Sequence, residues 1–307
     1  VDGLTLTRAL RELLQEPVSS SFLDDRATYE YLYKAAVEVA SRTRLLTSTW
    51  SFTTTADTAA YLLPADFLDI YPVDDYNRPF IKYGSTNFIY NRDYSAVLMA
   101  NSSSSVPVPA TYSVIDAPAS ASITGTATSA GPLDKGEAIL TDASGPFLNV
   151  SVGDTVHNMT DGSSGYVVSV TSASQIVTCL FDGTTRAWSS GDSYVVSPQA
   201  RYQLVFDPPP ANSGDEVTVV YVQKPSPVFS PYRSYRLPPT LKEAVVYYAG
   251  WLYKNRGQEP NYADYLLQHF EMELMRQGIN ANRALQKRPT MRVNMIKIAN
   301  TSGSYRW

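Results

Sequence analysis

Two histidines, one cysteine and 29 carboxylates are the groups in this 307-residue chain that could ligate a metal, attack a carbonyl or move a proton. His157 lies close to Asp154 and Asp161 in sequence, a spacing from which a metal site could be built. Aspartates beside glycine turns are more economically read as solvated turn residues. His269 precedes Glu271 by two, the first half of a zinc-deaminase signature, but the pair of cysteines that chemistry needs is absent. On a helix the two residues would point about 200° apart and share no face. Gly162-Ser163-Ser164-Gly165 lacks the spacing and the following helix of a nucleophile elbow. There is no Walker lysine or glycine-rich phosphate loop. Cys179 sits in an apolar run and reads as a small buried hydrophobe. No carboxylate pair has the apolar neighbourhood that would raise one pKa for acid–base work. Asn-x-Ser/Thr triplets at Asn101, Asn149, Asn158 and Asn300 are frequent by chance. The expectation is a non-enzyme with no metal and no cofactor.

Composition gives that expectation a direction. A lone cysteine excludes a disulfide scaffold, and no apolar run approaches the roughly 18 residues of a membrane helix. No stretch reads as a signal peptide. The net charge of −4 is unevenly spread. From Arg276 to Trp307 there are seven basic residues and no acid, which leaves −11 on residues 1–275. Residues 117–199 hold nine of the 16 glycines but only two of the 22 tyrosines, Tyr166 and Tyr194. Such segregation points to different partners for different parts of the chain.

The elements that would carry these segments follow from periodicity. Leu6, Ala9, Leu10, Leu13 and Leu14 mark a helix over 4–16, stopped by Pro17. Asp24 or Asp25 caps a second, with Tyr29, Leu32, Ala36, Val37 and Ala40 on one face and an end near Arg44. Period-two alternation at Trp50, Phe52 and Thr54 begins a strand region that continues through 61–71, 79–83, 87–90 and 96–99. A hairpin is expected from Tyr202, Leu204 and Phe206 through Pro208-Pro209-Pro210 to Val217, Val219 and Tyr221. Between them, strands such as 165–171 and 175–181 alternate with Gly-Asp and Asp-Gly turns. Thr240 and Glu243 form a capping box for a helix ending at Gly257, and another runs from Pro260 to about Gly278. The predicted fold class is α+β: a helical bundle of N- and C-terminal helices, a central antiparallel β region and a small inserted all-β domain. The expected domains are an adaptor core over 1–116 and 200–278, an inserted β domain over 117–199 and a basic extension over 279–307.

Several of these pieces together resemble the head-to-tail adaptor (connector) proteins of tailed bacteriophages, of the tubular type found in podophages. They are the helix pair ending Val39-Ala40-Ser41-Arg42-Thr43-Arg44, then Trp50-Ser51-Phe52 and Tyr61-Leu62-Leu63-Pro64-Ala65-Asp66-Phe67-Leu68-Asp69-Ile70. The segment ending Val219-Val220-Tyr221 and the helix after Leu237-Pro238-Pro239 complete the set. The resemblance covers most of the chain outside 117–199. It implies a structural virion protein at the head–tail junction, made in the host cytoplasm. Twelve copies would form a homo-oligomeric ring joining the portal protein to a tail or nozzle protein, with no membrane partner. Genomic DNA would pass through the channel without sequence-specific binding, and an acidic body suits that passage. Tyrosines outside the insert suit subunit interfaces, giving large apolar contact with a polar tip. The basic extension is expected to dock on the portal by strand addition or along an acidic surface. Its predicted contacts are Arg283, Lys287, Arg288, Arg292, Val293, Met295, Lys297, Ile298, Arg306 and Trp307, with 292–298 alternating as a strand. Two other functions stay open: a carbohydrate-binding or adhesive tail component, and a polysaccharide hydrolase.

Overall fold

The computed structural model describes residues 1–17, 23–71, 78–91, 104–131, 137–231, 233–257 and 259–285, with side chains as far as Arg276. Among the described residues two curled half-barrel sheets, one with seven strands in its main path and an eighth beside it, the other with six, form most of the fold, and four helices lie beside them. This corrects the expected α+β helical bundle carrying a small β insert. The strands between 123 and 197 build a sheet nearly as large as the first. The all-β character expected of 117–199 is present, but its strands form a sheet of six and not a small insert on a helical bundle.

The first sheet runs in the order β1 (Thr47–Thr53), β14 (Glu216–Gln223), β4 (Phe80–Tyr83), β5 (Asn87–Asn91), β6 (Thr111–Asp116), β13 (Tyr202–Asp207), β2 (Ala60–Leu62). An eighth strand, β3 (Phe67–Ile70), pairs with the end of β14. Inward side chains alternate with outward ones, so Ile81, Tyr83, Leu204, Phe206, Val217 and Val219 fill the concave face. The edges approach each other through side chains: the Phe52 ring lies 4.5 Å from Tyr61 and stacks at 4.4 Å on Trp50. The expected hairpin between β13 and β14 does not form. β13 pairs with β6 and β2, while β14 pairs with β1, β3 and β4. Eight residues including three prolines separate the two strands, so no tight turn dictates their register. The strand expected at 96–99 lies outside the described residues.

The second sheet runs β7 (Ile123–Thr126), β12 (Ser193–Ser197), β9 (Thr155–Asn158), β10 (Ser164–Ser172), β11 (Gln175–Phe181), β8 (Ala138–Thr141). Trp188, Phe147 and Tyr194 are its largest buried residues. The polar tips of two of them are satisfied, Trp188 Nε1 donating to Thr178 Oγ1 at 2.9 Å and Tyr194 to Asp142 at 2.6 Å. At Gly165 the neighbouring strands β10 and β11 approach so closely that an added Cβ would lie 1.8 Å from the Cys179 carbonyl oxygen.

The helices α1 (Gly3–Leu14), α2 (Asp25–Thr43), α3 (Lys242–Arg256) and α4 (Pro260–Leu285) share one core around Leu10, Leu32, Val39, Val245 and Phe270. Asp24 caps α2, accepting from the Ala27 N–H at 2.6 Å, and Asp2 does the same for α1 through Thr5. The Thr240 capping box is not used. Pro239–Leu241 forms a 3₁₀ turn instead, and α3 starts at Lys242 without a side-chain cap. α4 continues past Gly278 to Leu285.

The second sheet docks on α2 and on the segment after β14. Tyr29, Val168, Cys179, Phe181 and Phe229 form a buried cluster between them. The Tyr166 ring stacks on Phe229 at 3.9 Å and donates its hydroxyl to Glu30 at 2.5 Å. Arg233 clamps Glu137 through two bonds of 2.7 and 2.8 Å. Burial alone would raise the Glu137 carboxyl, but the bonds and charge of Arg233 outweigh it and hold the group below the usual range.

Two outcomes follow from this packing. Gly165→Ala should destabilise the chain by about 1–3 kcal/mol, read as a lowered thermal midpoint, because β10 and β11 must separate. The stability from the Glu137–Arg233 pair is complete above the unfolded carboxyl value of about 4.3 and is lost as pH falls through the depressed folded value. Arg233→Met should therefore cost about 1 kcal/mol at neutral pH, the scale of a partly screened pair, and move the acid-unfolding midpoint upward.

Candidate functional site

The groups singled out for chemistry are not brought together. His157 is exposed, whereas Asp154 is fully buried in the turn before it. Asp154 is not a solvated turn residue. Its carboxylate accepts from the Ser151 N–H at 2.8 Å and the Gln199 N–H at 3.0 Å, tying the turn before β9 to the segment that leaves β12. Asp192 is likewise buried and accepts from Ser189 N–H and Asn158 Nδ2. Asp161 accepts from Ser163 and Thr185. These bonds lower the Asp161 carboxyl against the opposing effect of burial. Each carboxylate is spent on backbone geometry. Among the described residues no group of three His, Cys, Asp or Glu is placed to hold a metal ion.

Gly162-Ser163-Ser164-Gly165 leads into strand β10 and not a helix. Asn158 is buried and bonded to Asp192, so its side chain is closed to glycosylation. Asn101 and Asn300 lie outside the described residues. Cys179 is buried and unpaired, and burial pushes its thiol up to about 12.

His269 belongs to a different surface. It is stacked on Tyr247 with ring centroids 5.2 Å apart and meets the edge of Tyr265 at 4.3 Å. Tyr265 stacks in turn on Tyr262. The same face of α4 exposes Tyr265, Met272 and Met275, at 50%, 54% and 66%. These positions recur at helical spacing, so they form one stripe.

Tyr265 and Met272 lie alongside α3, and Met275 lies where α4 begins to run past it. Gly250 faces Leu266 and Tyr247 faces His269, an antiparallel pairing that sets the start of α3 opposite about residue 274. α3 has 15 residues and α4 has 26, so α4 projects roughly 16 Å beyond α3. Arg283 lies on the backbone of that projection. Lys287, Arg288, Arg292, Val293, Met295, Lys297, Ile298, Arg306 and Trp307, and the strand expected at 292–298, lie outside the described residues. Sequence periodicity identifies the buried face of α4 through Ala263, Leu266 and Phe270. It misses the opposite stripe, because methionines and tyrosines interleaved with Gln268 and Arg276 resemble an ordinary mixed surface.

No protein-family model matches this chain, and no curated protein matches it. Cys179 should resist alkylation by iodoacetamide at pH 8 in the folded protein and react fully in denaturant, as followed by intact-mass spectrometry. Rapid labelling of the native chain would contradict its buried placement.

Proposed function

We propose that this protein is a ring-forming structural component of a phage virion, an adaptor that joins portal to tail around the DNA channel. The observation that carries the reading is the exposed stripe of Tyr265, Met272 and Met275 along α4. An exposed stripe of aromatic and methionine side chains on a helix is the composition of interface cores, which are rich in Tyr and Met. In a ring of about twelve copies that face packs against the neighbouring subunit. The basic residues that follow then reach the portal. The −11 carried by residues 1–275 keeps the channel from holding DNA phosphate.

A structural role is also consistent with how the chain uses its titratable groups. The aspartates of the second sheet fasten turns, the cysteine is buried and one histidine is part of an aromatic stack. The second sheet projects as a peripheral module and leaves the ring contacts to the helices.

Mass photometry of the chain, alone and with portal, tests the proposal. The wild type should form rings, or form them on portal. Met272→Asp combined with Met275→Asp should reduce the assembled fraction at least tenfold, the effect of about 1.4 kcal/mol at a contact, with an unchanged melting temperature. Removal of residues 286–307 should abolish portal attachment. A monomer under all conditions, or full assembly by the double variant, would overturn the reading.

A further inference from the structure

Two adjoining clefts open where α2, α3, the exit of β14 and the second sheet meet. Their volumes are about 340 and 480 Å³, and they share Tyr33, Gln199 and Lys224. Both lie in the range of small-molecule sites, roughly 300–1,000 Å³.

Lys34, exposed, and Lys224, half-buried, line the clefts together with Asp66 and Glu38. Both carboxylates are already engaged. Asp66 accepts from Tyr221 at 2.9 Å and from the Gln223 side chain, and Glu38 accepts from Arg42 at 2.6 Å. The two lysines are not matched in the same way. Among the described residues neither Lys34 nor Lys224 forms an ion pair or donates a side-chain hydrogen bond. The Lys224 amine lies over the Tyr202 ring, 5.9 Å from its centroid. Burial lowers its pKa, and the nearby charge of Asp66 only partly offsets this. A half-buried ammonium with unused donors is an incomplete arrangement that an anion completes.

The walls narrow the class of anion. Tyr33 and Tyr248 offer aromatic surface, and Gln199 and Ser226 offer amide and hydroxyl groups. The clefts face the middle of α2 and of α3, away from the helix N-termini whose N–H groups hold phosphates. Lysines here act as point charges beside surfaces suited to a polyhydroxylated ring. We propose that these joined clefts bind a carboxylated sugar, a uronic-acid unit of a polysaccharide, with Lys34 and Lys224 on the carboxylate and the tyrosines against the ring. The site is independent of the ring-forming face on α4.

Isothermal titration of the full chain with trigalacturonate, with neutral galactotriose and with inorganic phosphate tests this. Trigalacturonate should bind and the other two should not. Lys34→Met and Lys224→Met should each weaken binding roughly tenfold, as expected for losing a charge-assisted bond, with Lys224→Arg retaining most of it. Circular-dichroism melts and assembly mass should be unchanged in all three variants. Absence of trigalacturonate binding overturns the proposal. So does equal binding of the neutral sugar, tighter binding of phosphate, or unchanged affinity in the folded Lys34→Met/Lys224→Met double variant. Loss of ring assembly with binding intact would count against the adaptor reading alone.

Discussion

The stacking of Tyr166 on Phe229 is the contact on which the arrangement of the two sheets and the helices depends. Phe229 lies in the short segment that leaves β14, so its ring is covalently tied to the first sheet. One side of it meets Tyr166 of the second sheet, and Tyr33 of α2 approaches edge-on at 5.7 Å. The adjacent Val228 enters the helical core. Gly3 and Leu4 at the start of α1 donate their N–H groups to Arg233 and Pro231. Gly3 has no room for a side chain there, since a Cβ would sit 2.5 Å from the Ser230 carbonyl oxygen. A few residues therefore set the position of three layers, and aromatic contact supplies both area and orientation.

The second sheet has a different organising device. Its turns need positive backbone angles, at Gly153, Gly162, Gly183 and Gly191 and at Asp182 and Arg186. Turns of this kind leave backbone N–H groups pointing inward. Asp154, Asp161 and Asp192 collect those groups. In this acidic module the charge of these three carboxylates serves local geometry.

Legibility in the sequence follows the range of the interaction. Both N-terminal helices were readable because their apolar residues recur every 3.6 positions, and Asp24 announces its own cap. Strands β10 and β11 were readable because their alternation and the turns that bound them are local signals. β13 and β14 were not, because β6 and β1, which capture them, lie some 90 and 170 residues away in the chain. Thr240 illustrates a local signal overruled by its neighbours, the two prolines having already committed the backbone to a 3₁₀ turn. The lysine-bearing clefts left no trace at all in sequence, since Tyr33, Asp66, Gln199, Lys224 and Tyr248 come from five separated segments. The resemblance to phage adaptors rests on the sequence pieces alone. The architecture departs from the bundle it implied, with β structure taking the larger share.

The offset between α3 and α4 has a mechanical consequence. The two helices run antiparallel, so tension applied along the free end of α4 acts parallel to their shared seam. Tyr247, Tyr248 and Gly250 would have to slide past His269, Phe270 and Leu266 together, and could not be unzipped one at a time. The seam is thus loaded in shear, the direction in which interdigitated side chains resist collectively. From α3 the load passes through the common core to α1 and α2, and through Val228 to the segment that anchors both sheets. A pull on one helix tip is shared by the whole fold before any single layer yields.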